Sequence, residues 1–401
     1  CSNPPDAAAP PPPSQGAEPS GTGDAENSGT GEIDTEATLV IPVTADVVSL
    51  NMLQNCLRDT GLTMLGSMYD PFFTLNEDGS LNYYICENME ISEDGTEYVM
   101  TLRDDVTWHD GEPLTAEDVI FTFNALANGD LNVGITGGLS LDGEPVEMTM
   151  VDEYTVKFVL PRPSNDYLSG LAIMYLIPKH IYENVEDMDT CEENMLGIGY
   201  GPYQLVEYSP GEKLVVERYE DYYKGPGNYK TIEYRVMQDT TAQEVALLNG
   251  EIDYFPVTDA QTLEKYKNDS NYNIHSFTEG RINYMQLNQN SPLFHDSDKA
   301  REAVCKALNI EEIVAGAYGS EELARPATGT VICAGEVYYN EDVPNYQQDL
   351  ETAKQLVAET GLDQQPMRLI YNRDRNNMEE TALIIQQQLR DVGIEVQITA
   401  M

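Results

Sequence analysis

The sequence predicts an α/β fold, and three observations carry that prediction. Runs with apolar side chains at every second position alternate with runs whose apolar side chains recur at helical spacing. Residues 97–126 (EYVMTLRDDVTWHDGEPLTAEDVIFTFNAL) contain one full cycle, a strand, a turn and a helix. Residues 232–255 read as strand, helix and strand, the spacing of a βαβ unit with parallel strands.

In chain order, Cys1 opens the sequence, and residues 2–36 run Ser, Pro, Ala, Gly, Asp and Glu, with Ile33 their one large aliphatic side chain. Such a segment has too little apolar surface to offset the entropy of ordering it and reads as disordered. As a flexible tether it would reach about 30–35 Å. From residue 37 the composition changes. Thr38–Val43 (TLVIPV) reads as the first strand, and residues 60–73 as a helix with Leu62, Leu65 and Met68 near helical spacing. Asn76–Gly79 and Ser92–Gly95 read as turns. Neither is a calcium loop, because the position-12 glutamate is missing from both.

Within 97–126, Tyr98, Met100 and Leu102 share one strand face. Gly111 gives the turn access to a positive φ. Thr115 is the expected N-cap, with Glu117 and Asp118 placing negative charge in the first helical turn, and Val119, Ile120, Phe123 and Leu126 line the buried side. Residues 127–150 are Gly-rich and read as loop, and Tyr154–Leu160 alternates as a strand. His180 reads as an exposed loop histidine. Thr241–Glu244 reads as a capping box for a helix stopped at Gly250. Further on, residues 281–290 alternate as a strand. Ser297, Asn309 and Asp349 start helices, the last of them stopped at Gly361. Residues 368–371 form a strand, 378–392 the clearest amphipathic helix, ended at Gly393, and 394–398 open a final strand.

Composition limits the function. The chain carries 22 basic and 69 acidic residues in 401, a net charge of −47. A surface that acidic repels phosphate backbones and anionic headgroups, so nucleic acid is not an expected partner. No apolar run approaches the length needed to span a bilayer. The six cysteines (1, 56, 86, 191, 305 and 333) and four histidines show no zinc spacing. Setting Cys1 aside leaves an odd number. One bridge, for instance Cys56–Cys86, is compatible with that, and Cys305 reads as a core thiol. No metal, cofactor or catalytic residue is expected, since nucleophile elbow, H-E-x-x-H, P-loop and G-x-G-x-x-G patterns are all missing. An enzyme is therefore not expected.

The order Leu102-Arg103, Trp108-His109-Asp110-Gly111-x-Pro113, Thr115-Ala-Glu-Asp-Val119 resembles the signature segment of the family 5 extracellular solute-binding proteins, the peptide- and nickel-binding receptors of ABC importers. Three further stretches extend the resemblance over about 37–401. Leu176-Ile-Pro-Lys-His180 is similar to the family's Leu-Pro-Lys-His step. Gly199-Tyr-Gly-Pro-Tyr203 stands at its Gly-Thr-Gly-Pro-Tyr, with Tyr200 departing. Glu220-Asp-Tyr-Tyr223 stands at its Asp-Tyr-Trp, with Tyr223 departing.

The resemblance implies a two-lobed periplasmic-binding-protein (Venus flytrap) fold of the large three-domain type whose C-terminal part is missing from the sequence. The implied domains are a lipid-anchored disordered linker over 1–36, domain I over 37–72 and 196–280, domain II over 73–195 and an incomplete domain III over 281–401. It also implies a monomeric receptor that captures di- or oligopeptides outside the membrane and delivers them to ABC permease subunits. A leading cysteine before a polar tail looks like a mature lipoprotein, held at the outer face of the cytoplasmic membrane or in the periplasm by lipid on Cys1 alone. Nickel or a metallophore, an oligosaccharide, and a surface sensor without transport are the alternatives. Ligands of open α/β lobes lie beyond the carboxyl ends of strands, which selects Thr44, Tyr371, Asn372 and Arg373, with Arg373 or Arg375 suited to a peptide carboxylate.

Overall fold

A computed structural model describes residues 35–401 apart from 77–78, 135–137, 278–280, 328–339, 341, 343–346, 374 and 376. Cys1, the tail through residue 34, Cys333 and most of the loop at 324–340 lie outside the described residues. The chain divides after Phe255 into two compact units.

In the first unit the strands are β1 (Thr38–Val43), β2 (Phe73–Leu75), β3 (Leu81–Tyr83), β4 (Cys86–Ile91), β5 (Glu97–Leu102), β6 (Ser140–Leu141), β7 (Glu144–Pro145), β8 (Glu147–Asp152), β9 (Thr155–Val159), β10 (Tyr203–Ser209), β11 (Lys213–Arg218) and β12 (Thr231–Val236). Its helices are α1 (Met52–Asn55), α2 (Asp59–Leu65), α3 (Ala116–Asn128), α4 (Tyr167–Ala172), α5 (Lys179–Tyr182) and α6 (Thr240–Leu248). One sheet has the order β1-β12-β11-β10 and the other β4-β5-β9-β8. β1 runs parallel to β12, pairing Thr38 with Thr231 and Val43 with Val236, and the remaining neighbours in both sheets are antiparallel.

Alternation decides which faces of these sheets are covered. Tyr98, Met100 and Leu102 of β5 are buried, as are Val156 and Phe158 of β9. Helix α3 lies on β8 and β9 and buries Val119, Phe123 and Leu126. A single apolar core runs from Val43 through Trp108 and Phe158 to Tyr234, so both sheets of this unit are served by one interior. Thr35 and Glu36, at the end of the expected linker, are held to β11 and its neighbour: Arg218 donates to the Thr35 carbonyl at 2.9 Å, and Lys230 pairs with Glu36 at 2.9 Å.

The second unit contains α7 (Ala260–Lys267), α8 (Asp298–Ala307), α9 (Ile310–Tyr318), α10 (Leu350–Thr360), β13 (Met367–Tyr371), α11 (Met378–Asp391) and β14 (Val396–Ala400). β13 and β14 are parallel, and α11 packs on both. Helix α8 packs on α10, and α9 on α11, around a separate core that includes Val304, Val357 and Leu389. Ser297, Asn309 and Asp349 each accept a first-turn N–H as expected of N-caps, and Gly361 closes α10 in the left-handed region at φ 73°.

Several expectations fail for identifiable reasons. The helix expected at 60–73 ends at Leu65, and Phe73 already belongs to β2. Residues 147–150, expected to be loop, belong to β8, most of which is exposed. Helix α6 is capped by Asp239, not Thr241, and so starts two residues earlier, at Thr240. No strand forms at 252–255: Asp253 instead makes two hydrogen bonds to Val40, and the parallel partner of β12 is β1. Residues 281–290 are not a strand either. Met285 and Leu287 pack on the second core, while Tyr284 stays exposed. Cys56 and Cys86 are free buried thiols whose protons go to the carbonyls of Leu53 and Asn88, so the bridge between them is not formed. Burial pushes these thiols up to about 11 and about 12. Cys305 is half-buried, beside the buried Ala303–Val304 stripe rather than in it.

Candidate functional site

The first unit is organised around the turn that joins β5 to α3. A Thr107–Pro113 bridge and the Trp108 N–H to Glu112 carbonyl bond (2.8 Å) close this turn, with Gly111 at φ 92° as the turn requires. Each of the next side chains clips a different segment. Trp108 is fully buried, edge-on to Tyr200 with ring centroids 5.0 Å apart and 6.4 Å from the His180 ring. His109 accepts the Gly199 N–H on Nδ1 at 3.1 Å, and its Nε2 lies 3.0 Å from the Gly201 carbonyl. A carbonyl only accepts, so Nε2 carries the proton and the ring is neutral. Burial drives the imidazole down to about 4, against the opposing bond to Gly201 and the charge of Asp110. Asp110 Oδ2 meets His180 Nε2 at 2.8 Å, so His180 is tethered to the turn instead of lying free in a loop.

Helix α3 completes the node. Thr115 caps it in a capping box with Asp118, whose Oδ2 accepts the Thr115 N–H at 2.9 Å. The other oxygen of Asp118 accepts the Lys179 N–H at 2.9 Å and so also caps α5. Asp118 is buried, and desolvation raises its pKa against these two bonds. Thr122 Oγ1 accepts the Ile177 N–H at 3.1 Å, and the Tyr200 hydroxyl accepts the Leu176 N–H at 3.1 Å. The three motifs around Trp108, Leu176–His180 and Gly199–Tyr203, far apart in sequence, thus meet at one place. Gly199 and Gly201 are glycines because Met68 crosses them: a Cβ would lie 2.1 Å from the Met68 carbonyl oxygen at Gly199 and 2.6 Å from the Met68 carbonyl carbon at Gly201.

The fourth motif makes a second polar cluster. Tyr222 and Tyr223 both donate to Asp70 Oδ2, at 2.7 and 2.8 Å. Asp70 is only 6% exposed, and its burial raises its pKa while the two phenols and Lys224 oppose the rise. Lys224 lies over the Tyr84 ring at 3.6 Å, and Arg103 over the Tyr223 ring at 5.0 Å. Neither cluster holds a nucleophile beside a base. The first fixes backbone, and the second ties side chain to side chain.

The residues singled out for ligand contact lie elsewhere. Thr44 follows the carboxyl end of β1 and is exposed; two residues on, Asp46 Oδ2 accepts the Tyr208 hydroxyl at 3.0 Å and the Gly211 N–H at 2.6 Å, which pins this loop to the β10–β11 turn. In the second unit, half-buried Tyr371 ends β13, and Asn372, Arg373 and Arg375 follow it, all exposed. The Arg373 N–H donates to the Met401 carbonyl at 3.1 Å and the Arg375 N–H to the Asn372 carbonyl, so the backbone of this group is held while its side chains face outward. Tyr371, Asn372, Arg373 and Arg375 are thereby brought together at one strand end, whereas Thr44 belongs to the other unit. Cys1 lies outside the described residues. Sequence reasoning missed Asp118 as a double cap and Asp70 as an acceptor. The capping pattern at Thr115 signalled the first, and nothing local signalled the second. No helix among the described residues is long and apolar enough to cross a membrane.

Comparison with known proteins agrees with the motifs. The profile of the bacterial extracellular solute-binding proteins, family 5 (middle), matches residues 81–401. The oligopeptide-binding protein AppA of Bacillus subtilis is 29% identical over 365 residues, 84% of this chain. The chain spans 64% of the length of that relative. Among solved structures, the ABC transporter substrate-binding protein CtaP of Listeria monocytogenes superposes with a TM-score of 0.80 at 34% identity, over 92% of this chain and 74% of that one. The B. subtilis AppA structure, in complex with a nonapeptide, superposes with a TM-score of 0.78 at 25% identity, over 92% of this chain and 75% of that one. The fold is that of the periplasmic binding proteins, and the chain belongs to the bacterial extracellular solute-binding proteins of family 5.

Proposed function

We propose that this chain is the peptide-capturing component of an ABC importer, binding di- or oligopeptides outside the membrane and delivering them to permease subunits. The observation that carries this reading is the match over 84% of the chain to an oligopeptide-binding relative, one whose solved structure holds a nonapeptide. Thr44, Tyr371, Asn372, Arg373 and Arg375 are the proposed ligand contacts, with a guanidinium of the last two pairing a peptide carboxylate in a bidentate fashion. A binding role, not catalysis, fits the clusters around Asp118 and Asp70, which spend their polar groups on backbone N–H groups and on tyrosine hydroxyls respectively. Cys1 is the proposed lipid attachment point, making the protein a membrane-anchored monomer that does not span the bilayer, and stable retention requires more than one acyl chain.

A thermal-shift screen of the full chain against di- to hexapeptides, nickel–histidine complexes and oligosaccharides tests the reading. Ligand bound only by the folded state raises the melting temperature by mass action, so a saturating peptide at 100 times its Kd contributes about 2.7 kcal/mol. Stabilisation by peptides alone supports peptide capture. Stabilisation by nickel complexes or sugars instead, or by nothing at saturating peptide, overturns it.

A further inference from the structure

His109 does more than fill space. It closes a ring of three hydrogen bonds with the 199–201 strap: its own N–H donates to the Gly199 carbonyl at 2.8 Å, Nδ1 accepts the Gly199 N–H, and Nε2–H donates to the Gly201 carbonyl. The strap leads directly into β10, which pairs in the sheet of β1, β12 and β11, while the His109 turn joins β5 to α3 on the other sheet. One imidazole therefore couples the two sheets of the first unit. Its Nδ1 contact exists only for the neutral ring, since a proton there would aim one N–H at another.

We propose that His109 is an acid-sensitive latch: protonation of Nδ1 expels the Gly199 N–H and weakens the hold of the β5–α3 turn on the 199–201 strap. The titratable groups facing the ring are few. Asp110 on its own turn is already engaged with His180, and the Tyr219 ring stands 5.0 Å away, centroid to centroid, with its hydroxyl paired to Thr107 Oγ1 at 2.8 Å. The strap presents only backbone, and its far side is held by the Tyr200 and Gly201 N–H groups donating to the Met68 carbonyl. Protonation therefore loosens the Gly199 amide alone, while the bonds to the Gly199 and Gly201 carbonyls and those on the Met68 side stay in place.

The direction of the pH effect follows from the buried state of the ring. The unfolded chain takes up this proton near the ordinary 6.5 and the folded chain only near about 4. Between those values the unfolded chain binds more protons, so the joint is at full strength above pH 6.5 and weakens as pH falls toward 4.

The test uses the full chain labelled with 15N-histidine. At neutral pH the His109 signals should be those of the neutral Nε2–H tautomer, titrating well below the ordinary histidine range. Hydrogen exchange at the Gly199 amide, corrected for the intrinsic rate, should lose protection by on the order of 100-fold between pH 6.5 and pH 4, while His109→Gln should remove that pH dependence. An Nδ1–H tautomer, titration at or above pH 6.5, or pH-independent Gly199 protection in the unmodified protein overturns the proposal. If His109→Gln does not fold, the measurements on the unmodified protein decide.

Discussion

The Asp118 carboxylate accepts the Lys179 N–H at 2.9 Å, joining the first turn of α3 to the first turn of α5, while its second oxygen closes the cap of α3 itself. Both oxygens must accept. Asp118→Asn turns one of them into a donor that faces an N–H in either orientation. It should cost about 1–3 kcal/mol in urea unfolding. Glu117→Gln removes a solvent-screened ion pair to the Lys179 ammonium and should cost clearly less than Asp118→Asn. Equal losses in the two variants would show that the carboxylate is not a cap.

Two glycines test two different reasons for glycine. Gly111 needs its positive φ but has nothing within 4 Å of an added Cβ. Gly111→Ala should cost about 1–2 kcal/mol. Gly199→Ala drives a methyl group into the Met68 carbonyl oxygen, where only backbone movement gives relief. A loss above about 4 kcal/mol, or failure to fold, is expected there. The comparison of melting temperatures checks the order.

Tyr222 and Tyr223 share one acceptor oxygen on Asp70, so their contributions should not add. Each Tyr→Phe change should cost about 1–2 kcal/mol, and the double change more than the sum, because it leaves a buried carboxylate with neither phenol. Removing both donors also pushes Asp70 further above its ordinary range. A carboxyl raised in the folded state contributes stability below its unfolded value and loses it as pH rises, so the double variant's deficit should be larger at pH 7 than at pH 4. Denaturant unfolding at the two pH values reads this directly, and an equal deficit would sink the argument.

Arg373→Ala should weaken a peptide with a free carboxylate by about tenfold or more in calorimetric titration, and leave its C-terminally amidated counterpart unchanged. Unchanged affinity for both would make Arg373 a surface charge with no part in binding.

Much of this architecture was legible because burial and period coincide. β5, β9, α3, α8, α10 and α11 each bury one clean face and stand at or near their expected positions. Legibility failed where the structure departs from that rule. β8 is mostly exposed, and the short alternation of Val146, Met148 and Met150 is masked by the Gly-rich stretch before it. Residues 281–290 alternate without finding a ladder partner among the described residues. The partner of β12 is a strand from the start of the chain, and no local pattern identifies a neighbour that distant. The sites follow the same logic: the motif residues were visible, but the reason for them, one carboxylate or imidazole serving two segments, exists only after the segments meet. The ligand contacts rest on strand ends alone, and the exposed side chains of Asn372, Arg373 and Arg375 have no packing signature to read.

The pairing of β1 with β12 has a kinetic consequence. β10, β11 and β12 form a meander whose neighbours are close along the chain, so its loops close readily. β1 precedes the meander by most of the unit and cannot dock until everything from α1 to β12 has emerged, so it joins across a very long loop. Such non-local pairing slows folding. Until it happens, the outer edge of β12 offers unpaired backbone to any other extended chain. The arrival of β1 thus sets the time for which this unit is open to mispairing.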